Sequence, residues 1–286
     1  MLIDTHAHLD YPDFVPDFDE MLRRAHDAGV TRIITIGTSI ASSRRAVELA
    51  EKYQNVFAVI GVHPTTADEA GEDVITPLRE LAASKRVAAI GETGLDYHDL
   101  PSQKAAKDKK VQVFARALQG ETDEEIEAGL HDGAYKSKQA SLFEQQLDLA
   151  AELGLNVVIH QRDAWDDTLE IIRPYSGKLR GVFHCFGGTR TQADEVLALG
   201  HLVSFTGIVT FKNGAPVREI AAQLSLGDFM VETDCPYLAP VPFRGKRCEP
   251  AHTRLVADSI AAARGIKVEE LARSTTETAE SFFRLG

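Results

Sequence analysis

The sequence predicts an α/β protein, a (β/α)8 TIM barrel with a helical insertion after the fourth strand. Two observations carry this. Short apolar, β-branched runs recur eight times with helical patterns between them, and such alternation marks a mostly parallel sheet. The runs also lack polar alternation, which fits strands buried on both faces. Eight β/α units read as a closed barrel, with a doubly wound sheet as the alternative. The 286 residues suit one large domain. Residues 1–286 are therefore read as a single barrel domain, with 98–138 as an insertion too poor in apolar residues to form its own core.

The chain opens with Leu2-Ile3-Asp4-Thr5, an extended run that becomes His6-Ala7-His8-Leu9-Asp10. A helix over Phe18 to Ala28 stops at Gly29. Val30 to Gly37 is the second strand, Ser42 to Lys52 a helix, and Val56 to Gly61 the third strand, followed by Val62-His63-Pro64. A helix through Leu78 and Leu81 leads to the fourth strand, Val87 to Gly91, which runs into Glu92-Thr93-Gly94-Leu95-Asp96-Tyr97. The alternation then breaks. Lys104 to Leu118 has helical character, and Thr122 with Glu125 forms a capping box for a short helix through Ile126 and Leu130. It resumes with a helix over Ser141 to Leu153. Strand five is Asn156 to His160, with a helix over Ala164 to Arg173; strand six is Gly181 to His184, with a helix over Thr191 to Leu199. Strand seven is Leu202 to Phe205, with a helix over Pro216 to Leu224; strand eight is Phe229 to Thr233, ending at Asp234. Helices over Pro250 to Arg264 and Val268 to Phe283 close the chain.

Composition narrows the class. No run of about 18 apolar residues predicts a membrane span. The N-terminus lacks a basic segment followed by an apolar one, so no secretory signal is expected. Cys185, Cys235 and Cys248 share no C-x-x-C spacing, and such a sparse, odd set predicts reduced thiols in a cytoplasm. The net charge of −12 argues against non-specific electrostatic binding to nucleic acid while leaving room for a local basic patch.

In a parallel barrel the site lies at the C-terminal ends of the strands. Those ends hold His6 and His8, His63, Glu92, His160, His184 and Asp234. Residues two apart on a strand share a face, so His6 and His8 present their imidazoles together. A lone histidine at a strand end is usually structural. Apart from His63, four histidines and two carboxylates all falling at strand ends form a mixed donor set suited to two divalent cations. His26, His98, His131, His201 and His252 fall outside this set.

These residues carry a resemblance. DTHAHLD (4–10), GVHP (61–64), GETGLDY (91–97), VVIHQRDA (157–164), FHCFGG (183–188) and ETDCPYLAPVPFRGKRCEP (232–250) resemble the TatD family of metal-dependent deoxyribonucleases, within the wider metal-dependent hydrolase barrels. The match runs almost end to end, except for 98–138, where the family usually has a much shorter connection. The resemblance implies one metal on His6, His8, Glu92 and Asp234, and another on Glu92, His160 and His184, with Glu92 bridging. It implies Asp234 as general base, and hydrolysis of DNA phosphodiesters from the 3′ end, with magnesium or manganese supporting turnover and zinc as the metal expected to be found bound. The expected substrate is single-stranded DNA.

Phosphate recognition needs cations nearby, and Arg162, Lys212, Arg244, Lys246 and Arg247 are the candidates. His63 is a candidate for contact with substrate or leaving group, and Tyr97 or Phe243 for stacking on a base. Cys248 stands where the family usually has asparagine, and Asn156 where it usually has proline. Two other readings remain open: a D-aminoacyl-tRNA ester hydrolase using the same site, and a metal-binding scaffold without catalysis.

Overall fold

The computed structural model describes residues 1–98, 100–102 and 124–285. Eight strands lie side by side in chain order, all parallel: β1 (Leu2–Ala7), β2 (Val30–Ile36), β3 (Val56–Ile60), β4 (Val87–Asp96), β5 (Asn156–Arg162), β6 (Gly181–Phe183), β7 (Leu202–Phe205) and β8 (Phe229–Val231). The chain beyond β8 closes the barrel against β1. Ala7 bridges Cys235, the Asp234 amide donates to the His6 carbonyl at 2.9 Å, and the His8 amide donates to the Cys235 carbonyl at 2.8 Å. Asp4 staples the same seam, accepting from the Thr233 amide at 3.0 Å and from its hydroxyl at 2.6 Å. This is the (β/α)8 barrel that the alternation predicts.

Two apolar layers support it. Inside the barrel, Ile3, Ile34, Val59, Val158, Val182, Leu202 and Met230 pack with Phe282, Phe283 and Leu285 from the chain's end. The Phe282 carbonyl also accepts from the side chain of Asn156, the first residue of β5, so this plug seals the N-terminal end of the strands. Outside, the strands' other faces pack on helices α1 (Phe18–Asp27), α2 (Ile40–Lys52), α3 (Ile75–Leu81), α4 (Glu124–Leu153), α5 (Trp165–Ile172), α6 (Arg190–Ala198), α7 (Ala215–Gln223), α8 (Thr253–Arg264) and α9 (Val268–Phe283). No helix among the described residues is long and apolar enough to cross a membrane.

Several boundaries shift by one or two residues, as where β5 runs on to Arg162; three differences from the sequence prediction bear on the site. β4 continues to Asp96, because Thr93 to Asp96 pair with Ile159 to Arg162 of β5. β8 stops at Val231, because the residues after it turn to the β1 seam. The sequence predicts a short helix through Leu130 and a separate one from Ser141; the structure joins them in α4. Tyr135, Gln139, Leu142 and Gln146 are all buried and recur at helical spacing, so the buried stripe crosses the predicted break. The predicted helix over Lys104 to Leu118 and the Thr122 cap lie outside the described residues.

Candidate metal centre

Local irregularities aim the donors inward. Ile3 packs inside the barrel, and simple alternation would then turn His6 outward. The β1–β2 register shifts between Asp4 and Ala7, so His6 and His8 face the interior instead. β5 needs no correction: Val158 and His160 share parity and face. Asp234 adopts a left-handed backbone, φ 58°, which an aspartate tolerates better than most residues.

Glu92 is the centre of the cluster. It is 2% exposed, and its two oxygens face different partners. Oε2 lies 3.3 Å from His6 Nε2 and 3.8 Å from His8 Nε2. Oε1 lies 2.6 Å from His184 Nε2, 2.8 Å from His160 Nδ1 and 3.4 Å from His63 Nε2. Asp234 Oδ1 completes the first group, 3.4 Å from His8 Nε2 and 3.8 Å from His6 Nε2. His6 and His184 stack, with ring centroids 4.1 Å apart, and join the two groups.

Burial disfavours charge on all of these groups, yet partners override it for most. Burial pushes the Glu92 carboxyl up, but His184, His63, His6 and the bond from His160 hold it well below the usual carboxylate range. Burial likewise opposes ionisation of Asp234, and His8 and His6 outweigh it. His8 is pushed up to about 9 by Asp234, and His160 to about 9 by Asp96 and Glu92, in both cases against burial. His6 and His63 go the other way, lowered by burial and by neighbouring histidines.

The donor set suits a divalent cation. Among the described residues, both ring nitrogens of His6 and Nδ1 of His184 are buried without a hydrogen-bond partner. His6 Nε2 has a Glu92 oxygen within 3.3 Å, but the two are not aligned as donor and acceptor. Ligand atoms of His6, His8 and Asp234 lie within 4.8 Å of one another, as do those of His63, Glu92 and His160. Imidazole nitrogens and carboxylate oxygens converging on common points are what zinc, manganese and similar cations take.

His63 joins this cluster directly. Its Nδ1 accepts from the Thr65 amide at 3.1 Å, which puts the ring proton on Nε2, toward Glu92. The other expected contacts are more scattered. Arg162, Lys212, Arg244 and Lys246 are exposed, and the Arg244 guanidinium lies 3.7 Å from the Phe211 ring centroid. Arg247 is engaged elsewhere, bonding Asp17 at 2.7 and 2.8 Å and the Asp13 carbonyl at 2.6 Å. The Tyr97 hydroxyl bonds Asp167 at 2.7 Å, with Lys136 over its ring, and Phe243 stacks on His252. Cys185 Sγ faces Thr206, and Cys235 is fully buried.

Sequence reasoning misses two carboxylates here. Asp96 Oδ2 lies 3.0 Å from His160 Nε2. Glu232 accepts from the Cys185 amide at 2.7 Å and lies 3.8 Å from His184 Nδ1. Their signal is the parity that pairs His6 with His8: Asp96 is four residues from Glu92, and Glu232 is two from Asp234. Tyr11 and Tyr237 are missed as well; both rings border His8, and Tyr237 is exposed.

A parallel eight-stranded barrel with histidines and carboxylates clustered at its C-terminal mouth is an arrangement that metal-dependent hydrolases use. Residues 3–284 match the family model described as TatD related DNase, and the chain belongs to that family. The Bacillus subtilis protein YabD, named an uncharacterized metal-dependent hydrolase, is 35% identical, with 100% of each chain covered. An Erwinia billingiae protein named 3′-5′ ssDNA/RNA exonuclease TatD is 32% identical, with 99% of each chain covered. The solved structure of YJJV, a TatD homolog from Escherichia coli K12, superposes with a TM-score of 0.82 at 26% identity, covering 100% of this chain and 98% of that one.

Proposed function

We propose that this hydrolase cleaves DNA phosphodiesters as a 3′-5′ exonuclease on single strands, using two divalent cations (magnesium, manganese or zinc). The observation that carries the reading is the division of Glu92: one oxygen toward His6 and His8, the other toward His160 and His184. His6, His8 and Asp234 with Glu92 would hold one cation, and His160 and His184 with Glu92 the other. When bound, such cations supply activation of the attacking water and charge stabilisation at the phosphoryl oxygens.

The chain's own residues do the rest. Asp234 accepts the proton of the attacking water. Its ionised form is favoured by His8 and His6, and its side chain is 16% exposed against 3% for Glu92, so the proton has a way out. His63, with a proton on Nε2, stands where it can donate a hydrogen bond to substrate or leaving group. Exposed Arg162, Lys212, Arg244 and Lys246 supply cations for phosphates along the strand. The name of the Erwinia relative supports this substrate class.

The test uses 3′-labelled and 5′-labelled single-stranded oligonucleotides with chelator-treated protein and with added magnesium, manganese or zinc. Stepwise loss from the 3′ end that requires metal and disappears in Asp234→Asn is the expected result. Binding of two ions with no cleavage under any metal would sink the nuclease reading and move the D-aminoacyl-tRNA ester to first place.

A further inference from the structure

Asp96 has no part in the mechanism above, yet each polar group it carries is committed. Its amide donates to Gln139 Oε1 at 2.9 Å, and its carbonyl accepts from Gln139 Nε2 at 3.1 Å. Gln139 thus pairs with Asp96 as a neighbouring peptide would, and it is fully buried on α4. One carboxylate oxygen accepts from the His98 amide at 2.9 Å. The other is 3.0 Å from His160 Nε2, while His160 Nδ1 is 2.8 Å from Glu92 and 3.2 Å from His184 Nε2. Asp96 itself is 4% exposed, too enclosed to meet a polymer.

We propose that Asp96 is a positioning residue for His160, itself held by Gln139 of α4. The carboxylate accepts a hydrogen bond from Nε2–H and so keeps the proton on that nitrogen, which leaves Nδ1, the nitrogen facing Glu92, as the one a cation would take. His8 is oriented in the complementary sense: its Nδ1 lies 3.3 Å from the Ile36 carbonyl, and its Nε2 faces the site. A histidine ligand whose second nitrogen is anchored binds metal more tightly, and losing the anchor costs about 10- to 100-fold in affinity. The proposal rests on His160 being a cation ligand. It makes α4 the element that sets one half of the centre.

The test is calorimetric titration of the chelator-treated full chain with Mn²⁺ and with Zn²⁺, for wild type, Asp96→Ala, Asp96→Asn and Gln139→Leu. Asp96→Ala is expected to lose about 10- to 100-fold at one of two sites and little at the other. Asp96→Asn keeps an acceptor for Nε2 and should recover part of the loss. Gln139→Leu should weaken the same site by less. With ¹⁵N-histidine labelling, the zinc-loaded wild type should show a hydrogen-bonded Nε2 proton on His160 that Asp96→Ala lacks. Wild-type affinity at both sites in a folded Asp96→Ala overturns the proposal. If that variant does not fold, wild-type affinity at both sites in Asp96→Asn and in Gln139→Leu overturns it instead. One-site loss in the variants, alongside a wild type inert toward every oligonucleotide, upholds the Asp96–His160 pair and refutes only the nuclease reading.

Discussion

Replacing Gln146 with leucine should unfasten the end of β3 from α4. Gln146 is fully buried. Its Oε1 accepts from the Val62 amide at 2.8 Å, and its Nε2 lies 3.1 Å from the Val62 carbonyl and 2.7 Å from Thr93 Oγ1. Leucine fills a similar volume but leaves the buried Val62 amide and carbonyl without a partner. Each such orphan costs about 1–3 kcal/mol, and burial of the more apolar side chain returns about 1 kcal/mol. The two orphans together outweigh that return, for an expected net loss of about 1–5 kcal/mol. In urea, a slope near about 3 kcal/mol/M turns this into a midpoint shift of about 0.3–1.7 M. Equilibrium unfolding followed by circular dichroism measures it, with Thr93→Val as a milder companion costing about 1 kcal/mol. Because Val62 precedes His63 and Thr93 follows Glu92, Mn²⁺ affinity should fall as well. A midpoint shift below about 0.2 M at unchanged slope would refute the reasoning, since Val62 would then have been satisfied without Gln146.

Other expectations follow from separate features. Gly94 has φ +143°, and a Cβ there would sit 2.0 Å from the His160 carbonyl oxygen, whereas Gly29 has φ +86° with nothing within 4 Å. Gly94→Ala should therefore cost more than about 4 kcal/mol and Gly29→Ala about 1 kcal/mol; equal melting temperatures for the two would contradict the close approach of β4 to β5. His201 is buried, accepts from the Gly181 amide at 2.9 Å, and is pushed down to about 4 by burial and by Arg180. The unfolded chain takes up this proton near pH 6.5, before the native state does. The contribution is therefore complete above pH 6.5 and drains as pH falls toward 4, on the order of 3 kcal/mol in all. His201→Gln, which keeps an acceptor but cannot titrate, should flatten that part of the stability–pH curve; an unchanged curve would exclude His201 as its source. Mn²⁺ at about 100 times its dissociation constant should add about 2.7 kcal/mol, or about 5 °C in Tm, reversed by chelator. Thermal melts indifferent to Mn²⁺, Zn²⁺ and Mg²⁺ would dismiss the cluster as a cation site.

The strands were legible because their residues have few alternatives. VTRIITI, VFAVI and NVVI are β-branched, apolar and short, and they fold as the strands they resemble. The extension of β4 was hidden because Gly91 and Gly94 read as loop formers, whereas here they let β4 approach β5 closely. The continuity of α4 was hidden because Gln139 and Gln146 look like surface residues until their main-chain partners are known. The histidines and acids at strand ends could be read from parity and motif. Asp96 and Glu232 were readable by the same parity, but carboxylates are common and only proximity to His160 and His184 singles them out. Arg247 shows the limit: its charge is visible in the sequence, while Asp17, the partner that engages it, lies 230 positions away.

The seam between β1 and β8 has a consequence for timing. His6 and Asp234 share one wall of the cluster but are 228 positions apart in the chain. At about 5–20 residues per second of synthesis, His6 waits roughly 10–45 s before Asp234 has even been made. Throughout that interval Asp4 has no Thr233 to bind and the barrel has no closing edge. A growing chain therefore carries His6 and His8 without the carboxylate that completes their group. The donor set for the first cation is complete only once Asp234 arrives, so pairing of the two halves of the centre waits on the closing edge of the barrel.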